Sequence, residues 1–233
     1  MKLFEIAQYK TDVDEEKIWD LLNTHCQDAL GKLPIVRGMN RFEKGYGVVH
    51  GEAGHRESAN TTNHYTVILD EVLPENFPKR SKSIICSNWE NRSHSKNYGF
   101  LYAIVPFDGV SIGICPEGDM FATEIKLSDD ANARPIQRWN SFYDDNDIRA
   151  DSFPELLKDF KAFLSRRDFL DLNPKNIEEK IRTAYTEPFK CTTTADDSYY
   201  NDGTRHELWI GGKCVAIDLF LYRKMMRDAK AVK

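Results

Sequence analysis

The spacing of apolar and polar positions predicts a chain in which short strands are separated by a few amphipathic helices. Residues 14–30 place apolar side chains on one helical face behind an acidic first turn, and Gly31 is a natural C-terminal stop. Ser152 precedes a second helix with an apolar stripe, and Asn173-Pro174 begins a third. These three segments are the clearest helices in the sequence.

Short apolar runs predict the strands. They lie at 33–38, 83–87, 100–106 and 110–115, with two more on either side of Gly211-Gly212. Asp108-Gly109 separates two of these runs, which predicts a β-hairpin there. Residues 43–63, rich in Gly, His, Asn and Thr, are typical of a long loop, and long loops are often functional.

The remaining segments are short. Residues 64–73 fit a strand or a short helix, and 90–96 fit a surface helical turn. Strands toward both ends of the chain, with helices between them, favour an α+β fold. We therefore expect one domain over 1–233, carrying a helical insertion at about 130–200.

Composition agrees with a globular protein, because 41% of the residues are apolar and 30% are charged. The net charge of −5 argues against a protein that coats nucleic acid, although a local basic cleft is compatible with it. The five cysteines are scattered as reduced thiols would be: Cys26, Cys86, Cys115, Cys191 and Cys214. The sequence has no signal peptide and no apolar stretch of about 18 residues, so we expect a cytoplasmic protein that does not associate with a membrane.

Several common chemistries lack their motifs. There is no phosphate-binding P-loop, no dinucleotide fingerprint after a strand, no nucleophile elbow and no zinc-binding histidine pair. His50 and His55 flank a glycine-containing loop without the spacing of a metal site, and we predict no metal.

Three short pieces carry candidate chemistry. Val36-Arg37-Gly38 ends a strand with a guanidinium, whose rigid fork of donors matches phosphate oxygens. The run from Ser83 to Ser87 is a serine-bearing strand, followed by a polar stretch that ends in Lys96-Asn97-Tyr98-Gly99. Glu207 leads an apolar strand that runs into Gly211-Gly212 and a second strand.

In this order the three pieces resemble the ADP-ribosyltransferase family of the toxin and phage type, over residues 30–125 and 203–220. The resemblance implies a split β-sheet core, NAD as substrate, and a macromolecular acceptor that is a protein or a nucleic acid. It implies that Arg37 and Gly38 hold the NAD phosphates and that Glu207 is the catalytic carboxylate. Ser87, with Ser83 as the next candidate, would brace that carboxylate and contact the nicotinamide ribose.

Two further residues join the candidate NAD site. Tyr98 offers an aromatic ring for stacking, and Asn63 offers polar contacts from the long loop. Asp119 is the second candidate for the carboxylate. Relatives that modify arginine carry a second glutamate two positions before the catalytic one; here that position is Arg205, which speaks against protein arginine as the acceptor.

Two other functional classes stay open. The chain could be a non-enzymatic phage or host accessory protein that binds a partner through its polar loops and residues 185–200. It could also be a nuclease-like enzyme with Asp70, Asp119 and Glu124 around a divalent metal.

Overall fold

The computed structural model describes residues 9–51, 64–120, 122–123, 152–166, 177–194 and 200–231. In chain order the described strands are β1 Tyr9–Asp12, β2 Ile35–Met39, β3 Tyr46–His50, β4 Ile84–Ser87, β5 Phe100–Pro106, β6 Ser111–Ile114, β7 Lys190–Thr192, β8 Glu207–Gly211 and β9 Lys213–Asp218. The described α-helices are α1 Glu15–His25, α2 His64–Val72, α3 Arg92–Ser95, α4 Phe153–Arg166, α5 Ile177–Ala184 and α6 Leu219–Ala231. The α+β fold class is confirmed.

The strands form one antiparallel sheet in the order β1-β3-β9-β5-β2-β4-β8-β6-β7. Its continuity is weakest between β2 and β4, which share the single register pair Val36–Ser87. By contrast β2 and β5 share five register pairs, and β4 and β8 share four. The sheet is therefore nearly divided into a first half, β1-β3-β9-β5-β2, and a second half, β4-β8-β6-β7.

A bent two-stranded ribbon joins the two halves at a second place. One side of the ribbon is β5 followed by β6, and the other side is β8 followed by β9. Strand β5 pairs with β9, and β6 pairs with β8. Pro106 lies opposite Cys214 and Ser111 opposite Gly211, so residues 107–110 face only residues 212–213. Such extra residues bend a ribbon. The bend carries each side of the ribbon from one half of the sheet to the other.

The predicted hairpin at Asp108-Gly109 is wrong. β5 and β6 are consecutive parts of one side of the ribbon, and each pairs with a strand from the C-terminal part of the chain. The Asp108 carboxylate instead accepts hydrogen bonds from the backbone N–H groups of Gln27 and Asp28, at 3.1 and 2.9 Å. A turn is present at Asp108-Gly109, but the strands on either side of it pair with strands about a hundred residues away and not with each other.

Two clusters of buried side chains form the core. The larger one lies between the sheet and helices α1 and α6, and it includes Ile18, Leu22 and Tyr222. The second cluster joins α2, α4 and α5 to Trp209 of β8. Helices α4 and α5 fall inside the segment predicted as a helical insertion, and this cluster attaches them to the second half of the sheet.

Other boundaries differ from those that the sequence predicts. Helix α1 begins after Asp14, whose carboxylate accepts from Lys17 N at 2.9 Å, and it ends at His25 rather than near residue 30. Strand β3 lies inside the predicted loop 43–63, where its Tyr46–His50 segment pairs with β1 and β9. Residues 64–72 are helical. Among the described helices, none has the length and apolar character that crossing a membrane requires.

Candidate active site

A cleft opens to solvent where β2 and β4 diverge. The space that water-sized molecules could occupy in it is about 50 Å³. Its walls are formed by Arg37, Gly38, Ile85, Cys86, Ser87, His94, Ser95, Tyr98, Gly118 and Glu207. Strands, a helix and turns that are far apart in the sequence meet here because the sheet pairs β4 with both β2 and β8.

The three sequence pieces meet at this cleft. Ser87 lies directly opposite Glu207 on β8 and directly opposite Val36 on β2. Directly opposed residues of antiparallel strands present their side chains on the same face. Ser87 and Glu207 therefore share one face of the sheet, and both line the cleft.

Ser95, which the sequence did not single out, forms a serine wall of the cleft together with Ser87. The Ser95 hydroxyl at the end of α3 donates to Ser87 Oγ at 2.9 Å and lies 3.5 Å from the Val36 carbonyl oxygen. Helix α3 comes this close because position 38 is glycine: a Cβ on Gly38 would lie 1.9 Å from the Ser95 carbonyl oxygen. The close approach that Gly38 permits is thus to α3.

The carboxylate of Glu207 is held from beneath the cleft. Its Oε1 accepts hydrogen bonds from Arg80 Nη2 at 2.8 Å, Arg80 Nε at 3.2 Å and the Trp209 indole Nε1 at 2.6 Å. Glu207 and Trp209 lie two positions apart on β8, so their side chains share a face. Arg80, in a 3₁₀ turn at Arg80–Lys82, is 4% exposed and forms a buried ion pair with Glu207.

The charge of Glu207 explains the raised pKa of the Arg80 guanidinium. Burial by itself lowers the pKa of its guanidinium, but attraction to the Glu207 carboxylate opposes that effect and the pKa is raised overall. Sequence patterns give no signal for this partner. An arginine between a proline and a strand is typical of a solvated turn, and its pairing spans 127 residues.

The main chain around Glu207 is also fixed. Its N–H donates to the Glu117 carbonyl oxygen and its own carbonyl oxygen accepts from Cys115 N, each at 2.9 Å. The amide of fully buried Asn88 donates to the carbonyl oxygens of Tyr200 and Thr204, at 2.6 and 2.7 Å, and its Oδ1 accepts from His206 N at 3.0 Å. Asn88 thereby ties the approach to β8 against the end of β4.

The position of the Arg37 side chain differs from the one expected for a residue that holds phosphate in the cleft. Because Val36 pairs with Ser87, the alternation of side chains directs Arg37 to the opposite face, where it pairs with Tyr102 of β5. Its side chain is buried, and Nη1 donates to the Ile85 carbonyl oxygen across the junction of the two halves. Arg37 thus bridges β2 and β4 where their ladder stops, and contact with phosphate stays a prediction.

The other predicted site residues are distributed as follows. Tyr98 is 38% exposed at the rim, and its hydroxyl lies 3.2 Å from His94 Nε2. The next residue, Gly99, has a φ of +131°, which glycine adopts readily. Ser83 is not among the residues that line the cleft; its hydroxyl donates to the Lys79 carbonyl oxygen at 2.7 Å. Asn63 lies outside the described residues.

The rival acidic residues have local structural partners. Asp119 is outside the cleft lining, and its Oδ1 accepts from Ala122 N at 2.6 Å, as a helix-capping carboxylate does. Asp70 accepts from Ser81 N at 3.3 Å, and Glu124 lies outside the described residues. Within the described ranges, no three His, Cys, Asp or Glu side chains are grouped to hold a metal ion. The hypothesised metal site of Asp70, Asp119 and Glu124 stays a prediction.

The Cys115 thiol interacts electrostatically with the Glu207 carboxylate. Burial, and then the charge of Glu207, raise the pKa of Cys115 to about 12. Its sulfur lies 2.9 Å from Thr123 Oγ1. The thiol is therefore protonated at neutral pH and is a poor nucleophile.

Comparison of the chain with protein-family models, with curated proteins and with solved structures gives no match.

Proposed function

We propose that the protein is an NAD-dependent ADP-ribosyltransferase that transfers ADP-ribose to a protein or nucleic-acid acceptor and releases nicotinamide. One observation carries the proposal: Arg37, Ser87 and Glu207, which come from three separate sequence pieces, all line one cleft on three adjacent strands. Sequence order alone gives no reason for these three to converge.

Glu207 supplies the chemistry that the reaction needs. The bond between nicotinamide nitrogen and ribose C1 breaks with its electron pair leaving on the nitrogen, which neutralises the positive charge of the ring. A nucleophile of the acceptor then bonds to C1 and releases a proton. The ribose passes through an oxocarbenium-like state, and a fixed carboxylate beside it stabilises that positive charge.

The neighbouring residues provide contacts for the substrate. The hydrogen-bonded pair of Ser87 and Ser95 offers hydroxyl groups beside Glu207 for a ribose. The exposed ring of Tyr98 offers a face for nicotinamide or adenine. In this proposal Arg37 holds β2 and β4 together through its hydrogen bond to the Ile85 carbonyl oxygen, and its guanidinium also contacts the NAD phosphates.

The proposal includes the ADP-ribosyltransferase-like split sheet. The near division of the sheet at a single register pair, with the cleft located at that division, supports it. It also includes the reading of residues 130–200 as an insertion into one domain, which the packing of α4 and α5 on the second half supports.

The test is nicotinamide release from labelled NAD, with and without cell extract. Wild-type protein should release nicotinamide, and Glu207→Gln should lower the rate by about 100-fold or more, because the fixed charge at the transition state is lost. Asp119→Asn is the matched control, since it removes the rival carboxylate outside the cleft and should leave release unchanged.

Folding of both variants is checked by urea titration, because Glu207→Gln leaves the buried Arg80 without its ionic partner. Activity that persists in Glu207→Gln and disappears in Asp119→Asn would transfer the catalytic role to Asp119. Absence of both NAD binding and NAD turnover in the wild type would refute the proposal. A stable macromolecular partner recovered by pull-down would then favour the non-enzymatic binding protein.

A further inference from the structure

We propose that Arg80 is the positioning residue of this site: it fixes the Glu207 carboxylate at the wall of the cleft and keeps it charged there. The inference rests on the proposed function for its catalytic consequence. Its structural basis is independent, because it comes from the contacts of one buried arginine.

Three hydrogen bonds to the Glu207 carboxylate converge on a single oxygen. Both Arg80 Nε and Nη2 donate to Oε1, and so does the Trp209 indole. Two donors from one rigid guanidinium and a third from a fixed ring leave the carboxyl group little freedom to rotate. Glu207 still lines the cleft with a side chain that is 11% exposed, against 4% for Arg80.

Arg80 is itself anchored by contacts that do not involve Glu207. Its Nη1 donates to Thr66 Oγ1 at 2.7 Å, and its guanidinium lies 4.9 Å from the centre of the Tyr65 ring. It also lies 5.6 Å from the centre of the Trp209 ring. Helix α2 and strand β8 therefore hold the guanidinium from both sides. The arginine is the fixed partner, and the orientation of the glutamate follows from it.

The surroundings give Arg80 the main electrostatic role. Among the described residues, the Tyr65 phenol from α2 and the Cys115 thiol after β6 interact electrostatically with Arg80. Burial, followed by the Glu207 charge, raises the pKa of Cys115 to about 12, so this thiol is neutral at physiological pH. A buried carboxylate needs an opposite charge to remain ionised. Arg80 provides that charge at 2.8 Å.

The test compares Arg80→Met, which keeps bulk without charge, and Arg80→Lys, which keeps charge without the fork. We expect Arg80→Met to lower kcat by about 100-fold, as misplacement of a catalytic group does, with little change in KM. The acidic limb of its pH–activity profile should move upward by about one to three pH units, since the stabilising charge is gone. Arg80→Lys should restore the position of that limb and only part of kcat.

The matched control is Arg182→Met, which removes an arginine of α5 that pairs with Glu178. This variant should keep wild-type kcat and pH profile. If Arg80→Met shows the wild-type profile, or if Arg80→Lys and Arg80→Met are equally impaired with unshifted limbs, the proposal is overturned. Should Arg80→Met fail to fold, Arg80→Lys carries the test, because loss of kcat at unchanged KM in that variant reports positioning.

A readout without turnover separates this proposal from the proposed function. In protein labelled with ¹³C at glutamate side-chain carboxyls, the Glu207 signal is identified by its disappearance in Glu207→Gln. We expect the midpoint of its titration to lie higher in the folded Arg80 variant that has lost the charge, whether or not NAD is consumed. Equal midpoints would overturn the role of Arg80. Shifted midpoints without NAD turnover would refute the transferase instead.

Discussion

Replacing Gly38 with alanine should push α3 away from β2 and disturb the serine wall of the cleft. The added Cβ would lie 1.9 Å from the Ser95 carbonyl oxygen and 3.1 Å from Gly99 N. A carbon atom and a carbonyl oxygen normally approach to about 3.3 Å, so the helix must move by about 1.4 Å. The obstacle is backbone, and a side-chain rotation cannot relieve the contact.

The cost follows from that displacement. Forcing one methyl group into a packed contact destabilises a protein by about 1–3 kcal/mol. Moving α3 also stretches the 2.9 Å hydrogen bond between Ser95 and Ser87, whose loss costs about 1 kcal/mol. We therefore expect Gly38→Ala to lower the free energy of unfolding by about 2–4 kcal/mol, with weaker binding of NAD.

Urea unfolding followed by tryptophan fluorescence measures the effect. The control is Gly118→Ala, the same chemical change at another glycine of the cleft, where the added Cβ would lie 3.3 Å from Asn91 Nδ2 and 3.4 Å from Arg205 Cβ. These contacts need shifts of only a few tenths of an ångström, so its loss should stay below about 1 kcal/mol. Stability of Gly38→Ala within about 0.5 kcal/mol of wild type would refute the close contact of α3 with β2.

Three further outcomes are expected. Gly212→Ala should lower stability in urea by about 1–3 kcal/mol, because Gly212 has a φ of +121° at the bend of the ribbon and the new Cβ would lie 2.8 Å from Val110 Cγ1; an unchanged midpoint would contradict the bend. Hydrogen bonds from the Thr204 side chain and backbone hold the pKa of Asp202 at about 2. Asp202 therefore stabilises the fold above about pH 4, and this contribution is lost as the pH falls toward 2. Solvent screening keeps it small, since the side chain is 45% exposed. Urea titrations from pH 5 to pH 2 should show the stability difference between wild type and Asp202→Asn shrinking over that range. A constant difference would be evidence against this contribution of Asp202. Finally, a thiol reagent should label Cys191 first in the native protein, since the other four cysteines are buried; mass spectrometry that finds another cysteine modified first would disprove this order.

The candidate site was predictable where its signals are local. Arg37, Ser87 and Glu207 were selected by the residue type and its strand context, and all three line the cleft. Arg80 and Ser95 were missed, because a single arginine or serine in a polar segment has no distinctive pattern. Their importance comes from contacts with Glu207 and Ser87 in the folded chain.

The sequence by itself determined the local elements. An acidic first turn before an amphipathic run predicts the start of α1, and apolar runs predict β4, β8 and β9. These signals are local because capping and the alternation of side chains depend on residues a few positions apart.

Tertiary structure alone decided which strands become neighbours. Asp108-Gly109 has the local chemistry of a hairpin, yet β5 and β6 pair with β9 and β8, and apolar side chains of all four strands pack into the larger core cluster. The buried pair of Arg80 and Glu207 was decided in the same way. Burial of a charged side chain is costly unless folding brings it an opposite charge, and the partner of Arg80 lies far away in the sequence.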